Sequence, residues 1–403
     1  MHRRNLALAA LAAAALTSAA LTATPALAQG KDIKIAHIYS KTGPLEAYGK
    51  QTAIGLTMGL EYATGGTMMV NGRKIVVMEK DDQGKPDLGK SLLAASYADD
   101  KVDIAVGPTS SGVALAMLPV ADEYKKILLV EPAVADSITG DKWNRYIFRT
   151  GRSSSQDAIS NAVAMDKAGT SIATIAQDYA FGRDGVKAFK EAVKNAKIVH
   201  EEYLPQNTTD FTAGVQRIID RLKSEPGRKV VFVVWAGAST PFNKFADMDV
   251  KNRFGIEMAT GGNILPAMVA FNQFPGMEGA SYYYYAFSKN APNLWLVTNH
   301  YQRYKLPPDF FTAGGFASAM ALVTALKKTS GDTSTEKLIT AMEGMSFDTP
   351  KGTMTFRQQD HQAMQSMYHF RVAPGARPGA LPDLHLVKEI KPGEMDVPIR
   401  NKR

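Results

Sequence analysis

The chain alternates short apolar runs with amphipathic stretches from residue 31 to about residue 286. Runs such as 33–38, 102–106 and 127–130 have the length and composition of buried β-strands, and the stretches between them have helical spacing. Strands that alternate with helices form a parallel sheet with helices on both faces. A second series of the same kind begins after residue 149. The pattern therefore predicts an α/β protein with two lobes, each a doubly wound parallel sheet.

The last third of the chain has a different pattern. Residues 282–285, four consecutive tyrosines, are predicted as an aromatic strand, and three helical segments follow. Segments 353–356 and 368–372 are predicted to pair as a late hairpin. If the helices complete the first lobe and the hairpin the second, the chain crosses between lobes about three times. The predicted N-terminal lobe is then 29–147 with 287–350, and the predicted C-terminal lobe is 148–286 with 351–403.

The first 28 residues have the features of a secretory signal peptide. A short basic start precedes an Ala- and Leu-rich stretch at 6–21, and Ala26-Leu27-Ala28 gives the small-x-small pattern of a cleavage site. We predict cleavage after Ala28 and a periplasmic mature protein. The Arg3-Arg4 pair leaves both the general and the twin-arginine export routes open. No later segment is expected to be long and apolar enough to span a bilayer.

Composition narrows the function mainly by exclusion. The chain of 403 residues has no cysteine, which excludes disulfides, a thiolate nucleophile and a cysteine metal site. Its net charge is +8, but it has no run of four basic residues, so no nucleic-acid partner is expected. The seven histidines show no metal-ligand spacing, and no GxSxG motif occurs. We therefore expect no metal, no cofactor and no catalytic residues, and predict that the protein is not an enzyme.

One motif match argues for a nucleotide site, but its chemistry argues against it. Residues 84–91 (GKPDLGKS) fit the phosphate-loop pattern and lie between a predicted strand and a predicted helix. Such a loop binds phosphates through consecutive backbone N–H groups. Pro86 removes one of these donors, and Asp87 places a carboxylate where an anion would bind. Pro86 is better interpreted as an early helix residue and Lys90 as a solvent-exposed one.

Hydroxyl and small residues follow several predicted strands, at the sheet edge where ligands of α/β proteins bind. Thr109, Ser110 and Ser111 come after the strand 102–106 and open a helix. A helix N-terminus offers unpaired N–H groups and a positive dipole end, so the cluster can bind an anion without a formal cation. The alternative is an ordinary N-cap, for which one hydroxyl suffices. Two other segments also follow predicted strands and are expected at the same sheet edge. They are 131–134, with Ala133 and Val134, and 178–182, with Tyr179 and Phe181.

These residues resemble those of a known family, the periplasmic leucine/isoleucine/valine-binding proteins. The resemblance begins with Lys34-Ile35-Ala36, Ser40-Lys41-Thr42-Gly43-Pro44 and Tyr48-Gly49. It continues through 107–111 (GPTSS), 148–150 (FRT), 178–185 (DYAFGRDG) and the segment 282–296. It covers essentially all of the mature chain, in order. Members of this family are substrate-binding subunits of branched-chain amino-acid type ABC transporters.

The resemblance implies the type I periplasmic binding protein fold, with two doubly wound lobes joined by three crossovers that close on a ligand. Its partners would be a small-molecule ligand and the membrane permease and ATPase subunits, and we expect a monomer. The ligand contacts implied in the first lobe are Tyr48, Thr109, Ser110, Ser111, Ala133 and Val134. Those implied in the second lobe are Tyr179, Phe181, Trp235, Gly237, Gly262 and Asn263.

One departure from the family pattern bears on the ligand. Amino-acid-binding relatives carry an acid on the loop after the strand 256–258, where it pairs with the ligand's ammonium group. Here the loop contains Gly262 and Asn263, and no Asp or Glu occurs from Met258 to Met277. A buried ammonium group without a partner is costly. We therefore predict a carboxylate ligand without an α-amine, such as a benzoate or cinnamate derivative.

Three alternatives remain open from the sequence. Asp178, Glu131 or Asp136 could serve an ammonium group from another direction, which would make the protein an amino-acid receptor. An exported α/β hydrolase is a second alternative, disfavoured because no nucleophile–base pair can be assembled from motifs. A periplasmic sensor subunit is a third, and the sequence does not distinguish sensing from transport.

Overall fold

The computed structural model describes residues 30–237, 239–374 and 379–402. The predicted signal peptide, 1–28, lies outside the described residues. The strands are β1 (Ile33–Tyr39), β2 (Met69–Val70), β3 (Arg73–Asp81), β4 (Ile104–Val106), β5 (Leu128–Val130), β6 (Ile147–Arg149), β7 (Thr170–Gln177), β8 (Lys197–Leu204), β9 (Arg228–Val234), β10 (Ile256–Gly261), β11 (Glu278–Ser281), β12 (Ser346–Thr349), β13 (Gly352–Phe356), β14 (Ala363–Met364), β15 (Met367–Val372) and β16 (Leu384–Ile390).

Helices follow most of the strands, as the alternating pattern predicts. They are α1 (Glu46–Ala63), α2 (Pro86–Ala98), α3 (Ser111–Tyr124), α4 (Ser154–Met165), α5 (Ala180–Ala192), α6 (Thr212–Leu222), α7 (Phe242–Asp247), α8 (Val250–Phe254), α9 (Leu265–Met268), α10 (Ala291–Tyr304), α11 (Phe310–Lys328) and α12 (Thr335–Met342).

Two sheets form the two lobes, and a small third sheet accompanies the first. The first sheet has the order β2-β3-β1-β4-β5-β6, parallel except for the short β2. The second has the order β16-β15-β11-β10-β9-β7-β8, in which β15 and β16 are antiparallel additions. Because the buried strands of the parallel parts are short and almost wholly apolar, they need helices on both faces. The predicted fold class is confirmed.

The prediction that 353–356 and 368–372 pair as a late hairpin is wrong. The strand β13 pairs with β12 and β14 in a three-stranded sheet, whereas β15 pairs with β11 and β16 in the large second sheet. The sequence divides the lobes after residue 350, but Met354, Phe356 and Ala363 pack in the hydrophobic core of the first sheet. The two segments therefore lie on different sheets because their apolar faces complete different cores.

The aromatic strand at 282–285 is also wrong. Strand β11 ends at Ser281, whose Oγ accepts from the N–H of Tyr283 at 3.3 Å and donates to its carbonyl at 2.9 Å. These bonds replace ladder bonds and turn the chain out of the sheet. The tyrosine hydroxyls then reach separate partners, with Tyr283 donating to Asn293 Oδ1 at 2.7 Å and Tyr284 to the Pro382 carbonyl at 2.8 Å.

Two other expectations concern single helices. Pro86 is the first residue of α2 and Lys90 is exposed, as expected for a helix start rather than a phosphate loop. The second expectation concerns α11, which has 19 residues. Among the described residues it is the one helix whose length and apolar composition would allow it to cross a membrane. The sequence-based expectation that no such segment follows the leader is therefore wrong. In the structure, 83% of the most apolar window of α11 is buried, because the helix is a core element of the first lobe.

Candidate ligand-binding cleft

The carboxyl ends of the two parallel sheets face each other across a cleft. The loops after β4, β5 and β6 come from the first lobe, and those after β7, β9 and β10 from the second. The cleft encloses about 490 Å³, including its open mouth. Its walls contain ten of the twelve residues predicted from the sequence, namely Tyr48, Thr109, Ser111, Ala133, Val134, Tyr179, Phe181, Trp235, Gly262 and Asn263.

Two predicted residues lie beside the cavity rather than in its wall. Ser110 is the N-cap residue of α3 and is buried, but its side chain makes no capping hydrogen bond. Gly237 adopts a φ of +114°, which glycine tolerates far better than other residues. Its backbone N–H donates to Tyr48 Oη at 2.7 Å. Gly237 therefore orients a wall residue.

The hydroxyls at the start of α3 have their acceptor positions occupied by backbone groups. Thr109 Oγ1 accepts from the Ser40 N–H at 3.1 Å, and Ser111 Oγ accepts from the N–H groups of Val134 and Ala135, both at 3.2 Å. A hydroxyl has two acceptor lone pairs and one donor hydrogen. Ser111 is therefore left with only its own proton to offer, at a helix N-terminus whose dipole favours negative charge.

Tyr48 connects the two lobes across the cleft. Its hydroxyl donates to Asn263 Oδ1 at 2.8 Å and accepts from the Gly237 N–H. Burial raises the pKa of Tyr48 to about 12, so its hydroxyl stays protonated. Asn263 Oδ1 also accepts from the Ile264 N–H at 2.8 Å, which fixes the amide orientation and directs Nδ2 elsewhere. Asn263 thus contributes a donor to the cavity, as Ser111 does.

Aromatic rings from both lobes form the apolar walls. Tyr48 packs edge-on against Phe311 with centroids 4.8 Å apart, and Tyr179 lies 5.9 Å from Phe181. Trp235 is held edge-on against Phe211 at 5.0 Å and donates its indole N–H to the Ser239 carbonyl at 2.7 Å. These fixed rings offer flat surfaces to a ligand at little further entropic cost.

Sequence reasoning missed several wall residues. Phe310 and Phe311 begin α11 and reach the cleft because that helix packs on α1, which cannot be seen locally. The other missed residues are Leu45, Pro132, Arg152 and Ala236. A signal for Arg152 does exist in the sequence. It follows β6 by three residues, at the same sheet edge as the hydroxyl cluster.

Of the described residues that line the cavity, Arg152 is the one with a charged side chain. It is 8% exposed, its Nε donates to Asp157 Oδ1 at 2.9 Å, and its guanidinium lies 5.0 Å from the Tyr282 ring centroid. Burial lowers its pKa, but the charge and hydrogen bond of Asp157 together with the nearby Tyr282 and Glu131 outweigh this and leave the pKa raised. The cavity therefore has a permanent cation in its wall.

The acids that could have met an ammonium group lie elsewhere. Asp178 accepts from Arg183 Nε at 2.7 Å on the surface, and Asp136 binds the hydroxyl of Ser155. Glu131 is buried and accepts from Thr150 Oγ1 at 3.0 Å. Burial raises the pKa of Glu131, although nearby Lys351 opposes the shift. None of these carboxylates is among the described residues that line the cavity.

The described residues contain no group of three or more His, Asp or Glu side chains placed to hold a metal ion. The chemistry of the cleft is instead that of hydrogen-bond donors and aromatic walls.

Comparison with known proteins assigns the family. The family model described as "Periplasmic binding protein" matches residues 32–377. A Leu/Ile/Val-binding protein homolog 6 of Brucella abortus is 24% identical over 355 residues, which are 85% of this chain and 87% of the relative.

Solved structures agree with this assignment. An ABC-type branched-chain amino acid transporter from Rhodopseudomonas palustris is 64% identical, with a TM-score of 0.81, over 92% of this chain and 100% of its own. A solute binding protein of an ABC transporter from Rhodopseudomonas palustris BisB5, in complex with 3,4-dihydroxybenzoic acid, is 27% identical, with a TM-score of 0.78, over 91% of this chain and 99% of its own. A model match over most of the chain, together with two lobes facing one cleft, shows that the chain belongs to the periplasmic binding protein family and has the type I fold.

Proposed function

We propose that this protein is the periplasmic solute receptor of an ABC importer and that it binds a small aromatic carboxylate in the cleft. In this proposal the signal peptide is removed after Ala28, and the mature monomer delivers its ligand to a membrane permease driven by an ATPase. A benzoate or cinnamate derivative is the ligand class that the cleft fits best.

The observation that carries the proposal is the polarity of the cleft. The free polar groups of Ser111, Asn263 and Arg152 are donors, and the described cavity wall contains no carboxylate. A carboxylate supplies the acceptors that groups of this kind bind. An α-ammonium group brings three N–H donors and a positive charge into a wall that already holds a cation, and an unpaired buried charge is strongly disfavoured.

The aromatic walls determine how much affinity the ring contributes. Burying ~150–250 Å² of ring surface at ~25 cal/mol per Å² contributes roughly 4–6 kcal/mol. The helix N-terminus adds about 1–2 kcal/mol for the carboxylate. Since micromolar binding needs about 8 kcal/mol, the apolar walls should provide most of the affinity. The 27%-identical relative was solved with 3,4-dihydroxybenzoic acid, a ligand of this class.

A second candidate is a receptor for branched-chain or other hydrophobic amino acids. The names of the Brucella relative and of the 64%-identical structure favour it. It requires a carboxylate to pair with the ammonium group, which the described side chains of the cavity wall do not supply.

Titration calorimetry with benzoate, cinnamate, leucine and phenylalanine distinguishes the two candidates. We expect micromolar or tighter binding of an aromatic acid and no measurable binding of either amino acid. Tight leucine binding with no response to aromatic acids would overturn the proposed ligand class.

A substitution in the cleft sharpens this experiment. Asn263→Asp puts a carboxylate beside the ligand and should weaken binding of the aromatic acid at least tenfold by charge repulsion. Asn243→Asp, at an exposed position outside the cavity wall on the same lobe, keeps the oxygen that accepts from Gln273 and is the matched control, which should leave the affinity unchanged.

A further inference from the structure

Arg152 has an unused pair of hydrogen-bonding groups directed at the cleft. Its Nε binds Asp157, but among the described residues no hydrogen bond is made by either terminal nitrogen. The side chain is more than nine-tenths buried and lines the cavity. Burying a guanidinium whose N–H donors make no hydrogen bond costs free energy unless an acceptor binds it. The two terminal nitrogens present the end-on fork that matches a carboxylate.

The space around Arg152 extends beyond the main cavity. A second space, about 480 Å³ with its open mouth included, shares Arg152, Phe181, Trp235 and Gly262 with the first and is also lined by Asp157. The guanidinium therefore lies where the two spaces meet. A ligand that fills the first cavity can place a substituent against it.

The cleft has two donor ends separated by an apolar floor. Thr109 and Ser111 follow β4, whereas Arg152 follows β6, and β5 lies between these strands in the sheet. Neighbouring strands are about 4.8 Å apart, so the two loops start about 10 Å from each other. The loop after β5, with Pro132, Ala133 and Val134, provides the floor between them. A benzene ring with substituents at opposite positions bridges such a gap with a hydrogen bond at each end.

We infer that the natural ligand carries two acidic groups at opposite ends of a flat ring, one bound at the start of α3 and the other by Arg152. This inference rests on the proposed function, because it assumes that an aromatic acid occupies the cleft. Asp157 engages Arg152 through Nε and leaves the fork free, so it orients the guanidinium toward the ligand. The ring stacks between the aromatic walls, with the Ser111 hydroxyl at one end and the terminal nitrogens of Arg152, beside Asp157, at the other.

Three isomer-matched probes test the inference by calorimetry. Terephthalate has its carboxylates at opposite ring positions, phthalate has them adjacent, and benzoate has one. We expect terephthalate to bind at least tenfold more tightly than benzoate, and phthalate to gain nothing over benzoate because it cannot span both ends.

Substitution of the arginine separates its role from general binding. Arg152→Gln should abolish the advantage of terephthalate and change benzoate affinity by less than threefold. Arg152→Lys, which keeps the charge but not the fork, should retain part of the advantage. Arg303→Gln, on the surface of the first lobe where it pairs with Glu61, is the control and should leave all affinities unchanged. Thermal melting verifies that each variant is folded, and if Arg152→Gln does not fold, the terephthalate-to-benzoate ratio in Arg152→Lys decides.

The outcomes distinguish this inference from the proposed function. Equal affinity for terephthalate and benzoate, or an unchanged ratio in the Arg152 variants, would overturn the second acidic group while aromatic acid binding stands. An equal loss of benzoate and terephthalate binding in Arg152→Gln would also overturn it, because Arg152 would then hold the first carboxylate. If no aromatic acid binds the unmodified protein, the proposed function itself fails.

Discussion

Single side chains in the cleft are fixed by the backbone around them before any ligand arrives. Ser111 receives hydrogen bonds from the chain after β5, and Tyr48 receives one from Gly237 in the opposite lobe. The bonds to Ser111 orient its hydroxyl without using its proton, whereas the Tyr48 hydroxyl is fixed by also donating to Asn263 Oδ1. The cleft is therefore preorganised for an acceptor, which reduces the entropic cost of binding.

The aromatic wall gives a prediction at this scale. Phe181→Ala removes one ring from the second-lobe wall and should weaken binding of an aromatic acid about 10–100-fold, the equivalent of about 1.5–3 kcal/mol of apolar burial. Tyr304→Ala removes an exposed ring from α10, far from the cavity wall, and should have no effect. Calorimetry on both variants measures the difference. Similar affinities for the two variants would contradict an aromatic site.

A second residue-scale prediction concerns pH. His37 lies in β1, fully buried and stacked on Tyr39 at 4.3 Å. Burial lowers the pKa of His37 to about 4 from 6.5, although the charge of Glu79 opposes the shift. Between these pH values the unfolded chain takes up a proton that the folded chain does not. Its contribution to stability is therefore complete above pH 6.5 and lost as the pH falls toward 4, by about 3 kcal/mol for 2.5 pKa units.

The measurement is the pH dependence of the free energy of unfolding in His37→Phe. We expect this variant to gain stability relative to the unmodified protein as the pH falls from 7 to 4. His385→Phe, at an exposed position, should leave the pH dependence unchanged. Parallel stability curves for the unmodified protein and His37→Phe would refute the assignment.

At the scale of elements, close packing of α1 on α11 holds the first lobe together beneath the cleft. Gly55, Gly59 and Gly315 allow the two backbones to meet, since a Cβ on Gly55 would lie 2.0 Å from the Thr312 carbonyl oxygen. Asp309 caps α11 by accepting from the N–H groups of Phe311 and Thr312, both at 3.0 Å. This packing places Phe310 and Phe311 in the cavity wall.

Gly55→Ala tests that contact. Because backbone cannot move aside as a side chain can, the helices must separate, and we expect a loss of about 1–3 kcal/mol in the free energy of unfolding. The matched control is Gly393→Ala, where an added Cβ meets no atom within 4 Å. Thermal or denaturant unfolding measures both, and a Gly55→Ala variant as stable as the control would contradict the packing argument.

At the scale of the whole molecule, hydrogen bonds between the lobes hold the cleft in a closed arrangement. Asp184 of α5 accepts from Ser137 of the first lobe, from its N–H at 3.0 Å and its hydroxyl at 2.8 Å. Tyr48 makes a further contact, to Gly237 and Asn263. Ligand binding shifts an open–closed equilibrium only through contacts that differ between the two states. The Asp184–Ser137 contact contributes to that equilibrium without touching the cavity.

Asp184→Ala removes the contact and should favour the open form. We expect a larger radius of gyration in the ligand-free protein by small-angle X-ray scattering, and a roughly 2–10-fold lower affinity, since the competent state is less populated. Asp178→Ala removes an acid whose partner, Arg183, belongs to the same lobe, and serves as the control. A variant with unchanged scattering and affinity would show that this contact does not stabilise closure.

The local pattern of apolar and polar residues was sufficient to predict the parallel core of both lobes. The sequence predicts strands β1, β4 and β5 because apolar runs that short can be buried only between helices. The local pattern was insufficient after residue 281. There the four tyrosines predict a strand, although the hydrogen bonds of Ser281 turn the chain out of the sheet. The sequence predicts that segments 353–356 and 368–372 pair, because apolar and polar residues alternate in each. Such alternation indicates a strand but does not specify which sheet the strand joins.

The sequence by itself determined the two-lobed α/β fold and the loops that border the cleft, since alternating strands and helices make the strands parallel and bring their carboxyl ends to one edge of the sheet. It also determined that no acid follows β10. Only the tertiary structure decided which groups remain free once the chain has folded: that Ser111 keeps a proton to donate, that Asp136 and Glu131 are engaged away from the cavity wall, and that Arg152 faces the ligand space. The physical reason is that a residue type sets what a side chain can bind, whereas the partners that exhaust or leave open that capacity come from segments far apart in the chain.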